Sequence, residues 1–96
     1  MIHFNVLDEN FIQVYGNYKE IHVNGLAHKV EVPGNQKKVW HYSLTLLCHP
    51  KMMKIRTNEK EGTLTTEDLL KESVERNCEK FLKIINERGE DIGKND

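Results

Sequence analysis

Apolar positions along this chain change rhythm once, near Thr65. Up to about Thr57 they come in short alternating runs cut by glycine, proline and asparagine; from Leu64 onward they follow one long helical stripe. Alternation predicts strands with one buried face, and a repeat of about 3.6 residues predicts an amphipathic helix. The pattern as a whole predicts an α+β domain, an antiparallel β-meander of five or six strands packed against one C-terminal α-helix.

Ile2, Phe4 and Val6 alternate with His3 and Asn5 as a first strand, and Asp8-Glu9-Asn10 supplies turn chemistry. Phe11 to Tyr15 reads as a second strand, broken by Gly16-Asn17. Asn24-Gly25 then fits a two-residue type I′ hairpin turn between Tyr18–Val23 and Leu26–Val32. That register pairs Val23 with Leu26, His22 with Ala27, Ile21 with His28 and Glu20 with Lys29. It places His22 and His28 on opposite faces, where they cannot share a metal.

Pro33-Gly34-Asn35 turns the chain into its most strand-like segment, Lys37 to Cys48. Trp40, Tyr42, Leu44 and Leu46 share one parity there, and His41, Ser43, Thr45 and Leu47 share the other. The near-continuous apolar run from Leu44 to Cys48 predicts cover on both faces at that end. Pro50 ends the strand, and Met52 to Thr57 is predicted as the last one.

For the helix, Thr65 fits the N-cap, with Asp68 at N3 and Leu64 and Leu69 as a hydrophobic staple. Leu70, Val74, Cys78, Phe81, Leu82, Ile84 and Ile85 fill one arc. Asn77 falls inside that arc, as a satisfied buried amide, a rim residue or a polar contact in a self-association surface. Gly89 after Arg88 is a natural stop, so the expected organisation is one domain over 1–88 and a flexible polar tail over 89–96.

The 96 residues, 38% apolar and 30% charged, fit one small folded domain. The first residues carry no signal-peptide pattern, and the longest apolar run is too short to span a bilayer, so a cytoplasmic location without membrane association is expected. In that compartment Cys48 and Cys78 are expected as reduced, packed thiols, although they could form one bridge.

Charge adds a second pattern. Residues 36–60 carry a net +5 between flanks of −2 and −4. This basic island makes Lys37, Lys38, Trp40, His41, Lys51, Lys54 and Arg56 the candidate ligand or nucleic-acid site, because cations beside aromatic rings can hold phosphates and stack bases. Against that, Trp40 and Tyr42 share parity with core leucines, and the lysines can be solvated edge charge or face acidic surface, on the helix or on another subunit.

Catalytic chemistry finds no pattern to attach to. The sequence lacks closely spaced histidine or cysteine pairs, a Gly-x-Ser-x-Gly elbow and the glycine-rich phosphate loops. A ligand set drawn from separate strands, such as His3 with His41, stays open. No cofactor, metal or catalytic residue is assigned. The expected function is therefore a small non-enzymatic regulatory or inhibitory protein acting through contact with a protein partner. A homo-oligomer formed through an edge strand is its economical form. The alternative is a nucleotide or single-stranded nucleic-acid binding protein using the basic strands.

Overall fold

The computed structural model describes residues 1–60 and 62–94, with side chains described for all of these except 35, 36 and 88–94. Five strands, β1 (Ile2–Asp8), β2 (Phe11–Tyr18), β3 (Ile21–Val32), β4 (Asn35–Cys48) and β5 (Met53–Glu59), precede one helix, α1 (Glu67–Lys94). The sheet is a pure antiparallel meander in the order β1-β2-β3-β4-β5, with α1 against one face. This is the α+β architecture that the change of rhythm predicts.

Strand connections depart from the sequence pattern at two places. Neither Gly16-Asn17 nor Asn24-Gly25 turns the chain. A single two-residue turn, Lys19-Glu20, joins β2 to β3 and pairs Tyr18 with Ile21. Lys19 accepts a left-handed φ of 53° to make it. Gly16 stays in β2 at φ 125°, opposite Ile2.

Gly25 sits inside β3, between Val14 of β2 and Leu44 of β4. The physical reason lies in the alternation. A straight β3 carries Ile21, Val23, Gly25 and Ala27 on one face, and Ile21, Val23 and Ala27 are fully buried there. A turn at 24–25 would keep Leu26 with the core, whereas Leu26 stays 41% exposed on the other face. The expected Glu20–Lys29 pair is consequently absent, since Lys29 lies opposite Trp40.

The core gathers the buried face of the sheet (Ile12, Val14, Ile21, Val23, Ala27, Trp40, Tyr42, Leu44, Leu46 and Cys48) against Leu70, Val74, Cys78, Phe81, Leu82 and Ile85 of α1. Leu64 joins it, and its carbonyl accepts the Trp40 N–H at 2.8 Å, tying the β5–α1 connection to β4. Both cysteines are free and buried.

Helix entry lies one residue later than the spacing predicts. Thr66 Oγ1 accepts the Leu69 N–H at 3.1 Å, which makes Thr66 the N-cap in place of Thr65. Glu67 and Asp68 still occupy the first turn, where acidic groups favour the helix dipole. Ile84 leaves the predicted arc, at 42% exposed, while Ser73 enters the buried face. The helix also continues through Gly89 to Lys94, since one glycine costs only about 1 kcal/mol relative to alanine and does not by itself end a helix. Residues 95 and 96 of the expected tail lie outside the described residues.

Asn77 is explained by a polar cluster between sheet and helix. Its Nδ2 donates to the Tyr42 hydroxyl, and that hydroxyl also pairs with Ser73 Oγ at 2.7 Å. Burial pushes the Tyr42 phenol above its ordinary value, partly offset by these two hydrogen bonds. Asn77 is thus a satisfied, half-buried amide at the margin of the core, between the first two of the roles open to it.

Cys78 responds to the same burial. Desolvation, reinforced by Glu75 and Glu79, raises its thiol from 9.0 to about 11. Between those values the unfolded chain loses a proton that the folded chain retains, so rising pH favours unfolding. Urea titrations at pH 7, 9 and 10.5 are expected to show stability falling above pH 9, with a shallower fall in Cys78→Ala. Equal slopes for the two proteins would remove Cys78 from that loss.

Candidate functional site: the open face of the sheet

A five-stranded sheet is about 24 Å wide, whereas one helix is only about 10 Å across. A lone helix can cover only one face, and among the described residues the other has no second layer beyond the β5–α1 connection, which lies beside Val32 at the end where Val39 is buried. The run Leu44–Cys48 therefore lacks the two-sided cover predicted for it. Leu44, Leu46 and Cys48 face the helix, while Thr45 and Leu47 are half-buried on the open side.

The register orders the open face into rows running across the strands. One row is His3, Tyr15, Asn24, Thr45 and Arg56; the next is Asn5, Gln13, Leu26, Ser43 and Asn58. A third row carries Asp8, Phe11, His28 and His41, and a fourth carries Asn17, His22, Leu47 and Lys54. The one carboxylate among these positions is Asp8, at the β1 end of the third row. Asp8 ends β1, and its Oδ1 accepts the Asn10 N–H of the following turn at 2.7 Å. The face thus combines amides, hydroxyls, imidazoles and aromatic rings with the cations of Lys54 and Arg56 at one edge and the Asp8 carboxylate at the other.

The rings form two groups. His3 stacks on Tyr15 with centroids 5.2 Å apart, and Phe11 stacks on His28 at 6.4 Å, with His41 edge-on to His28 at 6.0 Å. Tyr15 and Phe11 are each 41% exposed, so each keeps free aromatic surface. They stand four residues apart on β2, about 14 Å at strand rise.

The structure divides the residues that the basic island nominated. His41, Lys54 and Arg56 share the open face, and Lys37 is exposed on the parity of Val39 and His41. Lys38 has the opposite parity, across from Glu31, and Lys51 occupies the β4–β5 turn. Trp40 lies beneath the open face on the helix side, 2% exposed, with Lys29 Nζ 5.2 Å from its ring centroid.

Phe11, Tyr15, His3 and His28 are the face residues that reading along the chain did not nominate. The signal for two of them was present, since Phe11, Gln13 and Tyr15 alternate with the core residues Ile12 and Val14. Their alignment with Lys54 and Arg56 required the register of the whole sheet. That register also places His22 and His28 on one face, six residues apart, correcting the opposite faces given by a turn at 24–25. His3 and His41 share this face but stand three strands and four residues of register apart, about 20 Å. Among the described residues no three of His, Cys, Asp and Glu converge as a metal site would require.

A groove of about 580 Å³ lies elsewhere, between the Lys19-Glu20 turn and α1. Glu79 accepts a hydrogen bond from the Tyr18 hydroxyl and pairs with Lys19 Nζ at 3.2 Å. The Glu79 carboxylate holds the Tyr18 phenol up at about 12, and the Tyr18 hydrogen bond and Lys19 hold Glu79 below its ordinary value. Both charges of that pair are exposed, and Glu20 and Glu87 mix with Arg76 and Lys83 along the groove. It has the character of a solvated surface crease.

No helix among the described residues is long and apolar enough to cross a membrane. No family model matches the chain, and no curated protein or solved structure matches it either.

Proposed function

We propose that this protein binds single-stranded nucleic acid across the open face of its sheet, as a binding protein without catalytic activity. The observation that carries the reading is the composition of that face: exposed aromatic surface at Tyr15 and Phe11 on β2 and the cations of Lys54 and Arg56 three strands away on β5, with Asp8 as the one carboxylate in its rows, at the opposite edge. Cations hold phosphates and unpaired bases stack on aromatic surface irrespective of sequence, so the backbone would run along β5 with bases reaching toward β2. The exposed amides of Asn5, Gln13 and Asn24 supply donors and acceptors for base edges. Two free, buried thiols suit the reducing cytoplasm as the setting.

Fluorescence anisotropy of a labelled oligothymidine at low salt tests this directly. Affinity is expected to fall steeply with added salt, with a log–log slope of about −0.7 for each phosphate contact. Tyr15→Ala is expected to cost about 1–3 kcal/mol of binding through lost stacking, and Arg56→Gln to flatten the salt slope by about one contact. An oligonucleotide that fails to bind at 20 mM salt, or that binds Tyr15→Ala as tightly as wild type, would defeat the reading.

A second reading, a regulatory or inhibitory protein that docks a protein partner on the same face, draws on Phe11 and Leu26, each 41% exposed. A partner held by that apolar surface would bind with little dependence on salt, so the same titration separates the two.

A further inference from the structure

The two edges of the sheet are built differently. β5 carries Lys54, Arg56 and Glu59, charges of the kind that discourage edge pairing. β1 carries no charge from Ile2 to Leu7, and Val6 and Leu7 are 55% and 56% exposed.

Hydrogen-bond parity defines what the β1 edge offers. The Asn17 N–H donates to the Met1 carbonyl at 3.2 Å, and His3 and Asn5 lie opposite Tyr15 and Gln13 in the same phase. In an antiparallel ladder this phase turns the odd-numbered N–H and C=O groups toward β2 and the even-numbered ones away. Ile2, Phe4 and Val6 therefore present donor and acceptor pairs at the free edge. The bulge between Val6 and Asp8 ends the regular stretch, leaving five residues.

Those five residues are self-complementary. We infer that β1 pairs antiparallel with β1 of a second copy of this chain, about a two-fold axis at Phe4. Phe4 then faces Phe4 of the second copy, and Ile2 faces Val6 on either side. Each of these three positions is a hydrogen-bonded pair, and each places apolar side chains together on the helix side. His3 faces Asn5 of the second copy on the open side, and no charged residue of β1 enters the pairing; on the helix side Lys71 Nζ stands 5.6 Å from the Phe4 ring centroid. The axis stands perpendicular to the sheet, so the result is one ten-stranded sheet with both open faces on the same side. The pairing stands on its own, whatever the open face binds.

Light scattering after size exclusion, at about 100 μM chain, is expected to give a dimer. Val6→Pro removes an N–H that the single chain does not use, at an edge position that tolerates proline. It is expected to raise the dissociation constant about ten-fold or more. Register is tested with His3→Cys and Asn5→Cys, both exposed positions. An equimolar mixture of the two variants is expected to form a disulfide-linked dimer under mild oxidation, and neither variant alone should do so, because only positions 3 and 5 face each other within disulfide reach. A monomer throughout, or a dimer whose mixture does not cross-link, overturns the inference.

Discussion

Gly25→Ala is expected to lower stability by more than about 3 kcal/mol, which for a domain of this size is roughly 12–24 °C of Tm. A Cβ built on Gly25 would stand 2.1 Å from the Ser43 carbonyl oxygen and 2.8 Å from the Leu44 Cα, both backbone atoms of the neighbouring strand. Leu44 Cδ2, at 2.6 Å, already fills the space above. Backbone atoms inside a ladder cannot step aside without moving β3 or β4, the two central strands. The loss would consume a large part of the 5–15 kcal/mol that holds a typical domain together.

The same position distinguishes a strand from a turn. Were Asn24-Gly25 a type I′ turn, both residues would need positive φ, and replacing Asn24 by a β-branched residue would be costly. In β3 the Asn24 side chain is exposed on the open face, opposite Tyr15 and Thr45. Asn24→Thr is therefore expected to be neutral or slightly stabilising. Thermal denaturation of both variants checks the pair of expectations. A mild Gly25→Ala together with a damaging Asn24→Thr would contradict the strand register.

The second large effect is expected from one hydroxyl. Tyr42→Phe keeps the ring, which is 1% exposed, but removes the partner of both Asn77 Nδ2 and Ser73 Oγ. No buried side-chain N or O among the described residues lacks a partner in the native chain, so the variant creates the first such vacancies. Leaving them unsatisfied is expected to cost about 1–3 kcal/mol. Asn77→Leu together with Ser73→Ala removes the stranded groups and is expected to recover most of that loss in the Tyr42→Phe background. Urea denaturation of the single, double and triple variants measures the coupling. Additive losses would show that the three side chains do not act as one cluster.

Much of the fold was legible in particular residues. The alternation of Trp40, Tyr42, Leu44 and Leu46 with His41, Ser43, Thr45 and Leu47 assigned β4 its two faces, and the structure keeps that division. The stripe from Leu70 to Ile85 assigned α1 its buried side. Both patterns are local, because a strand or a helix needs only its own periodicity to choose a face. Turns were less legible. Asn-Gly is favourable chemistry for a hairpin, but its local advantage is small beside burial of Ile21, Val23 and Ala27 on one continuous face. Lys19-Glu20 carries no sequence mark of a turn at all, and Lys19 takes a left-handed conformation because the flanking strands require it.

The candidate site was legible only in part, for the same reason. Net charge along the chain identified a basic segment containing His41, Lys54 and Arg56. It could not separate them from Trp40 and Lys38, whose neighbours in sequence are not their neighbours across the sheet. The acidic helix follows the basic strands and could have been expected to shield them, yet it packs beneath the sheet while Lys54 and Arg56 lie on the other face. By itself the sequence determined the strand-rich body, the closing helix and the inward rows of β4 and α1. Tertiary structure alone decided that the chain turns at Lys19-Glu20 and runs straight through Asn24-Gly25, which strands align, and thus that Tyr15 shares a row with Arg56. Periodicity is a property of consecutive residues, whereas register emerges only when the whole sheet maximises burial against its single helix.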